Sequence, residues 1–177
     1  MNEQIVKLEN VRLSFPALWE AKKGPDANSK SAFQATFILD KKTNAASIKA
    51  VKAAIDLVTK DSFKGKQPPK ICLREGSEKP DTDGYGDGVM FVGARSETRP
   101  MVVDRNGRTP LTAADGKPYA GCIVNATIRV WPQDNQYGKR INSALRAVQF
   151  VKDGDAFGDK PINMETEFAP LDNSDVI

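Results

Sequence analysis

The chain has 177 residues, 40% of them apolar, enough for one domain with a hydrophobic core; its two cysteines, Cys72 and Cys122, build no disulfide framework and fit a reducing compartment. It contains no histidine, which excludes Ser-His and Cys-His nucleophile pairs and the usual zinc shells and so weighs against an enzyme. The net charge of +3 hides an asymmetry: residues 1–152 hold 25 Lys+Arg and 16 Asp+Glu (+9) and residues 153–177 hold 1 and 7 (−6), so a basic body suited to an anionic ligand ends in an acidic segment.

Residues 4–15 read as a first strand. Val6 and Leu8 alternate, then Val11, Leu13 and Phe15 alternate out of step by one, so a bulge near Glu9 and Asn10 is needed to bring both sets to one face. Pro16 is expected to end this strand. Past Trp19 and a loop with Lys22, Lys23 and Lys30, a second strand covers about 31–39, with Phe33, Ala35, Phe37 and Leu39 directed to the core. Asn44, or Thr43, can cap an amphipathic helix over about 44–60, where Ile48, Val51, Ile55 and Val58 recur at helical spacing, supported by Ala53 and Ala54. Residues 61–87 are rich in proline and glycine and read as loop, broken by a short strand at 71–74. Val89 to Ser96 is a strand with Met90, Val92 and Ala94 on one face and Phe91, Gly93 and Arg95 on the other. Residues 100–104 are expected to continue it or pair with it, and Arg105-Asn106-Gly107-Arg108 is a turn.

The longest pattern runs from Gly121 to Gly154. Cys122, Val124, Ala126, Ile128 and Val130 alternate with Ile123, Asn125, Thr127, Arg129 and Trp131, as a half-buried strand requires. Pro132 is expected to end it, Gln133–Lys139 to form a polar loop around Tyr137, and the chain to return through 141–151. The wet side of this hairpin shows Arg129, Trp131, Tyr137, Lys139 and Arg140. Cations track a phosphate backbone and flat rings stack on bases, so such a surface suits single-stranded nucleic acid. The bland alternative is an amphipathic hairpin with solvated charges. Mostly antiparallel strands with one helix point to a mainly β fold. An OB-fold-type five-stranded antiparallel barrel with extra loops fits the length and the helix count best.

Arg12-Leu13-Ser14-Phe15-Pro16, the run Asp83-Gly84-Tyr85-Gly86-Asp87-Gly88, Arg99-Pro100, Tyr119-Ala120-Gly121-Cys122 and the stretch from Leu145 to Gly158 together resemble single-stranded-DNA-binding proteins encoded by tailed bacteriophages. The likeness runs over nearly all the chain. It implies an OB-fold over residues 1–158 and an acidic tail over 159–177, disordered in solution. It implies sequence-independent binding of single-stranded DNA during phage replication or recombination, without catalytic residues or cofactors, in the cytoplasm of the infected bacterial host. The tail is expected to contact replication or recombination proteins. Tails of this type often end in an aromatic residue, whereas this one ends Asp175-Val176-Ile177; Phe168, Asp172, Asp175, Val176 and Ile177 are its candidate anchors. A homodimer is compatible with this reading.

The stacking candidates are Trp131, Tyr137, Phe91 and Tyr85, and the phosphate candidates are Arg95, Arg99, Arg129, Lys139 and Arg140, with Arg12, Lys22 and Lys23 behind them. Two other readings compete. Asp81, Asp83 and Asp87 suggest a carboxylate-metal nuclease, although their spacing matches no calcium loop and no metal is assigned. A phage structural or assembly β-barrel is the other. No apolar run approaches 18 residues, so no transmembrane helix is expected. Met1-Asn2-Glu3-Gln4 lacks the basic-then-apolar pattern of a secretory signal.

Overall fold

The computed structural model describes residues 4–23, 30–157, 167–169 and 171. In chain order its elements are β1 (Gln4–Lys23), β2 (Ser31–Asp40), α1 (Ala45–Ser62), β3 (Lys70–Ile71), β4 (Leu73–Glu75), β5 (Val89–Ser96), β6 (Met101–Val103), β7 (Ile123–Asn135) and β8 (Gly138–Lys152). Five strands form a ring: β8 pairs with β7, β7 with β1, β1 with β2 and β2 with β5, all antiparallel. A parallel pairing of Arg95 with Ala144 joins β5 to β8 and closes the barrel. Closure removes the exposed sheet edges that an open array would leave. The result is the OB-fold barrel, with β3 and β6 added in parallel to β8 and β4 added to β5.

β1 serves two neighbours because its register shifts three times, once against β7 and twice against β2, the last between Ala17 and Lys22. Against β7 its register slips between Leu8 and Val11, where Asn10 has a φ of 53°, as the shifted alternation requires. Against β2 it slips between Ser14 and Ala17, where Phe15 has a φ of 45°. Pro16 therefore does not end the strand. It sits in the second bulge, off the ladder, where its missing N–H costs no hydrogen bond. The same bulge turns Phe15 outward, 53% exposed, and not into the core where its parity had placed it.

Inside the barrel, Leu8, Val11, Leu13, Phe37, Leu39, Val92, Val124, Ile128 and Val130 are fully buried. α1 closes one end, and Ile48, Val51, Ala54, Ile55 and Val58 join the same cluster, whereas Ala53 faces solvent. Asn44 precedes the helix but caps none of its N–H groups. Its Oδ1 accepts from the Asp40 amide at 2.8 Å, and its Nδ2 donates to the carbonyls of Glu9 and Asn10 at 3.1 and 3.0 Å. The helix start is thus tied to the first bulge of β1. Among the described residues no helix is long and apolar enough to cross a membrane. Cys72 and Cys122 are unpaired and buried, and burial pushes both thiols up to about 11.

Several expected boundaries move. Residues 100–104 neither extend nor pair with β5; β6 crosses to β8 and sets Val102 against Val148. The short strand at 71–74 is two strands with different neighbours, β3 and β4. β7 continues through Pro132, because beyond Val130 only β8 flanks it among the described residues, and an edge strand tolerates proline. The expected loop 133–139 is mostly ladder: Gln133 pairs with Arg140, Asp134 with Lys139 and Asn135 with Gly138, leaving a two-residue turn at Gln136 and Tyr137. Polar composition suggested a loop, but side-chain bonds hold this arm together, with Asn142 donating to Gln133 at 2.8 Å and the Tyr137 amide donating to Asn135 at 2.9 Å.

Candidate nucleic-acid interface

Residues opposite each other in register share a face of the sheet. On the outside of the barrel this produces three rows. Arg12, Ile38, Phe91 and Arg74 form one; Ser14, Thr36 and Gly93 form the next; Gln34, Arg95, Ala144 and Arg129 form the third. In the third row a small residue, Ala144, separates two arginines. Trp131, on the same arm as Arg129, stands opposite Asn142, and Arg140 stands opposite Gln133.

Large side chains around small ones leave a cleft of about 650 Å³. Gly93, Ser143 and Ala144 line it together with Lys30, Arg95, Arg129, Arg140 and Trp131. Ser143 donates from Oγ to the Gly93 carbonyl at 2.6 Å and so pins β8 to β5 beneath it. Glu97 on the rim pairs with Lys30 at 3.7 Å. Trp131 is half-buried, which fixes the ring without hiding it. Four of the sequence candidates, Trp131, Arg95, Arg129 and Arg140, therefore converge in one place. Tyr137 and Lys139 do not line this cleft; they stand at the tip of the β7–β8 arm, Tyr137 74% exposed.

A family model described as "Enterobacter phage Enc34, ssDNA-binding protein" matches residues 4–177. The chain belongs to that family. It is 38% identical over 179 residues to the putative protein p50 of Acyrthosiphon pisum secondary endosymbiont phage 1, a match covering 94% of this chain and 93% of that protein. The single-stranded DNA-binding protein from bacteriophage Enc34, solved in complex with ssDNA, is similar in structure with a TM-score of 0.78 at 31% identity, over 87% of this chain and 89% of that chain. The single-stranded DNA-binding protein gp2.5 encoded by bacteriophage T7 shares the fold alone, with a TM-score of 0.51 at 14% identity over 92% of this chain and 99% of that one.

The remaining candidates of this Enc34-family chain fall elsewhere. Arg99 donates to the Trp19 carbonyl at 3.0 Å and sits 5.9 Å from the ring of Phe33. Phe33 was expected in the core but is half-buried and outside the core cluster. Phe91 does lie on the outer face, yet it is only 3% exposed. Tyr85 packs edge-on against it at 5.1 Å, with the Arg74 guanidinium 5.2 Å and the Lys79 ammonium 5.3 Å from its ring. Phe91 therefore supports Tyr85 and offers no face to a base. Tyr85 is half-buried; its hydroxyl donates to Ser14 Oγ at 3.0 Å, and burial raises its pKa. Arg12 is committed to the chain itself, donating to the carbonyls of Gly121 and Asp155 at 3.2 and 2.5 Å.

Asp81, Asp83 and Asp87 are exposed, and among the described residues no three Cys, Asp or Glu side chains group to hold a metal. In the tail, Phe168 is 80% exposed, while Asp172, Asp175, Val176 and Ile177 lie outside the described residues. Phe15 and Lys30, which line clefts of the outer face, escaped sequence reasoning as site residues, and so did Lys79 as the cation packed over the ring of Phe15. For Phe15 a signal existed: proline inside an alternating run demands a bulge, and a bulge re-aims its neighbour. Lys79 had none, because its position over Phe15, Tyr85 and Phe91 depends on a loop fold.

Proposed function

We propose that this protein binds single-stranded DNA without regard to sequence and performs no catalysis. The observation that carries the proposal is the cleft in which Trp131 stands among Lys30, Arg95, Arg129 and Arg140 above small residues of β5 and β8. Its similarity to a protein solved with ssDNA supports the same reading. The four cations attract phosphates and release their counterions, and the arginine forks suit phosphate oxygens. Gly93 and Ala144 let a strand approach the sheet closely. Trp131 then stacks on a base, whichever base it is, because each has a π-face. Tyr137 at the arm tip offers a further ring.

The setting is phage DNA replication or recombination in the cytoplasm of the infected bacterial host. The acidic tail engages replication or recombination proteins through Phe168, Asp172, Asp175, Val176 and Ile177. The test is a titration of labelled oligonucleotide, single-stranded against double-stranded, at several salt concentrations. Single strands should bind tighter, and the log–log salt slope should approach about −3 if all four cations neutralise a phosphate. A slope near zero removes electrostatic binding. Cleavage of the oligonucleotide in magnesium would restore the nuclease reading.

A further inference from the structure

Next to the cleft of Trp131 the outer face holds a second one. Gln34 lines it, and Arg95, the register partner of Gln34, lines the first, so the two are neighbours across β2 and β5. The second cleft measures about 640 Å³, and two aromatic rings face it, Phe15 and Phe157.

Both rings are held in place at some cost. Phe15 has a φ of 45°, a conformation that bulky residues rarely adopt, and it is turned to solvent. Tyr85 packs against it at 6.4 Å while bonded to Ser14, and the Lys79 ammonium lies 5.4 Å from its ring. Phe157 is gripped from the other side. Its amide donates to the Ala120 carbonyl at 3.0 Å, and the Arg12 guanidinium stacks 4.0 Å from its ring. Gly84 passes so close that a Cβ there would fall 2.4 Å from Cζ of Phe157, and its φ of 86° also calls for glycine. Neither ring belongs to the core. Strained backbone and a close glycine contact thus present two rigid aromatic surfaces to one open cleft.

The charges around them sort what can enter. Asp81 and Asp83 line the same cleft and repel phosphate. A carboxylate also accepts a hydrogen bond from the exocyclic amino group of cytosine or adenine, a donor that thymine lacks. Lys22, also lining the cleft, can meet the phosphate outside it. Resting on the single-stranded-DNA reading above, we infer that this second cleft takes one unstacked nucleobase of the same bound strand and adds, to binding that accepts any sequence, a modest preference for an amino-bearing base over thymine.

The test measures anisotropy with the full chain and labelled dC or dT homopolymers of about sixteen nucleotides, the upper end of an OB-fold footprint. Wild type should bind dC roughly fivefold or more tighter than dT. Phe15→Ala and Phe157→Ala should each weaken both by about fivefold or more. A double Asp81→Ala, Asp83→Ala variant should lose the dC-to-dT ratio, whatever the loss of negative charge does to overall affinity. Circular dichroism checks folding; if Phe15→Ala does not fold, Phe15→Leu keeps the bulk without the flat face, and Phe157→Ala gives a second reading. Unchanged affinity in the phenylalanine variants, with Trp131→Ala weakened, overturns the inference and leaves the first cleft standing. A dC-to-dT ratio that survives the double substitution overturns the base preference. Wild type that binds neither homopolymer defeats the proposed function itself.

Discussion

Along β5, Met90, Val92 and Ala94 point into the barrel and are at most 8% exposed, while Gly93 and Arg95 between them open onto the cleft. The inward set is apolar and carries the transfer free energy that holds the fold. The outward set offers a flat backbone and a cation. Phe91 shows that the division is not simply inside against outside. It points outward, yet Tyr85, Lys79 and Arg74 cover it, so it contributes packing and no binding surface. What separates the two roles is whether a second layer covers the side chain. If that is right, stability and recognition share a backbone but can be perturbed one at a time.

The largest break in this comparison should come from Phe37, fully buried on β2. Phe37→Ala should cost roughly 3–5 kcal/mol of stability through lost transfer energy and a residual cavity. Urea denaturation reads the loss, and the molecules that stay folded should bind oligonucleotide as before. Weakened binding by the folded fraction would show that the barrel interior sets the shape of the cleft and that the two faces are coupled.

Trp131→Ala should do the opposite. Removing a stacking ring costs roughly 1–3 kcal/mol of binding, while the half-buried side chain contributes little to the core cluster. The melting temperature should stay nearly constant and tryptophan quenching by oligonucleotide should drop. Tyr137→Ala, at the exposed tip, belongs at the low end of that range. A stability loss larger than the binding loss would move Trp131 from the cleft to the core side of the comparison.

The interior was legible in the sequence for a physical reason. Burial imposes a strict period of two on Val124, Ala126, Ile128 and Val130, and of about 3.6 on Ile48, Val51, Ile55 and Val58, and any slip would expose a whole row. Even the first bulge of β1 could be read, because it left the alternation out of step. The outer face carries no such rule. Arg95 and Arg129 come together only because β5 and β8 meet in parallel at Ala144 to close the ring, a contact between residues far apart in the chain. Phe15 and Phe33 look like core residues by parity and are placed otherwise by a bulge and by the end of a strand. The arm at 133–139 read as loop because the residues of its ladder are polar and carry no apolar alternation.

Asn44 tests the seam between helix and barrel. It is 8% exposed and serves one amide and two carbonyls across the first bulge of β1. Asn44→Ala leaves those groups unpaired and should cost roughly 1–3 kcal/mol. Asn44→Asp keeps the acceptor for Asp40 but loses both donors, so it should recover only part of the loss. Thermal melts of the two variants read the difference, and equal melts would assign the whole effect to the bonds donated to the Glu9 and Asn10 carbonyls.

The smallest expected effect concerns Asp40, at the corner between β2 and α1 and away from both clefts. Its carboxylate accepts the Thr43 amide at 3.0 Å and the Lys42 amide at 2.8 Å. These bonds favour the charged form and hold its pKa below the ordinary 3.8. A lowered folded pKa means the unfolded chain takes up the proton first on acidification. The stabilisation is therefore complete above the ordinary value and drains away as pH falls through the folded one. Asp40→Asn keeps one acceptor and cannot titrate. Its urea midpoint should lie slightly below that of wild type at neutral pH, and the gap should close below about pH 4, near the unfolded pKa of an aspartate. DNA affinity at neutral pH should not differ, since no cleft residue touches this corner. A gap that persists unchanged at low pH would mean that the geometry of the turn, and not the charge on Asp40, holds β2 to α1.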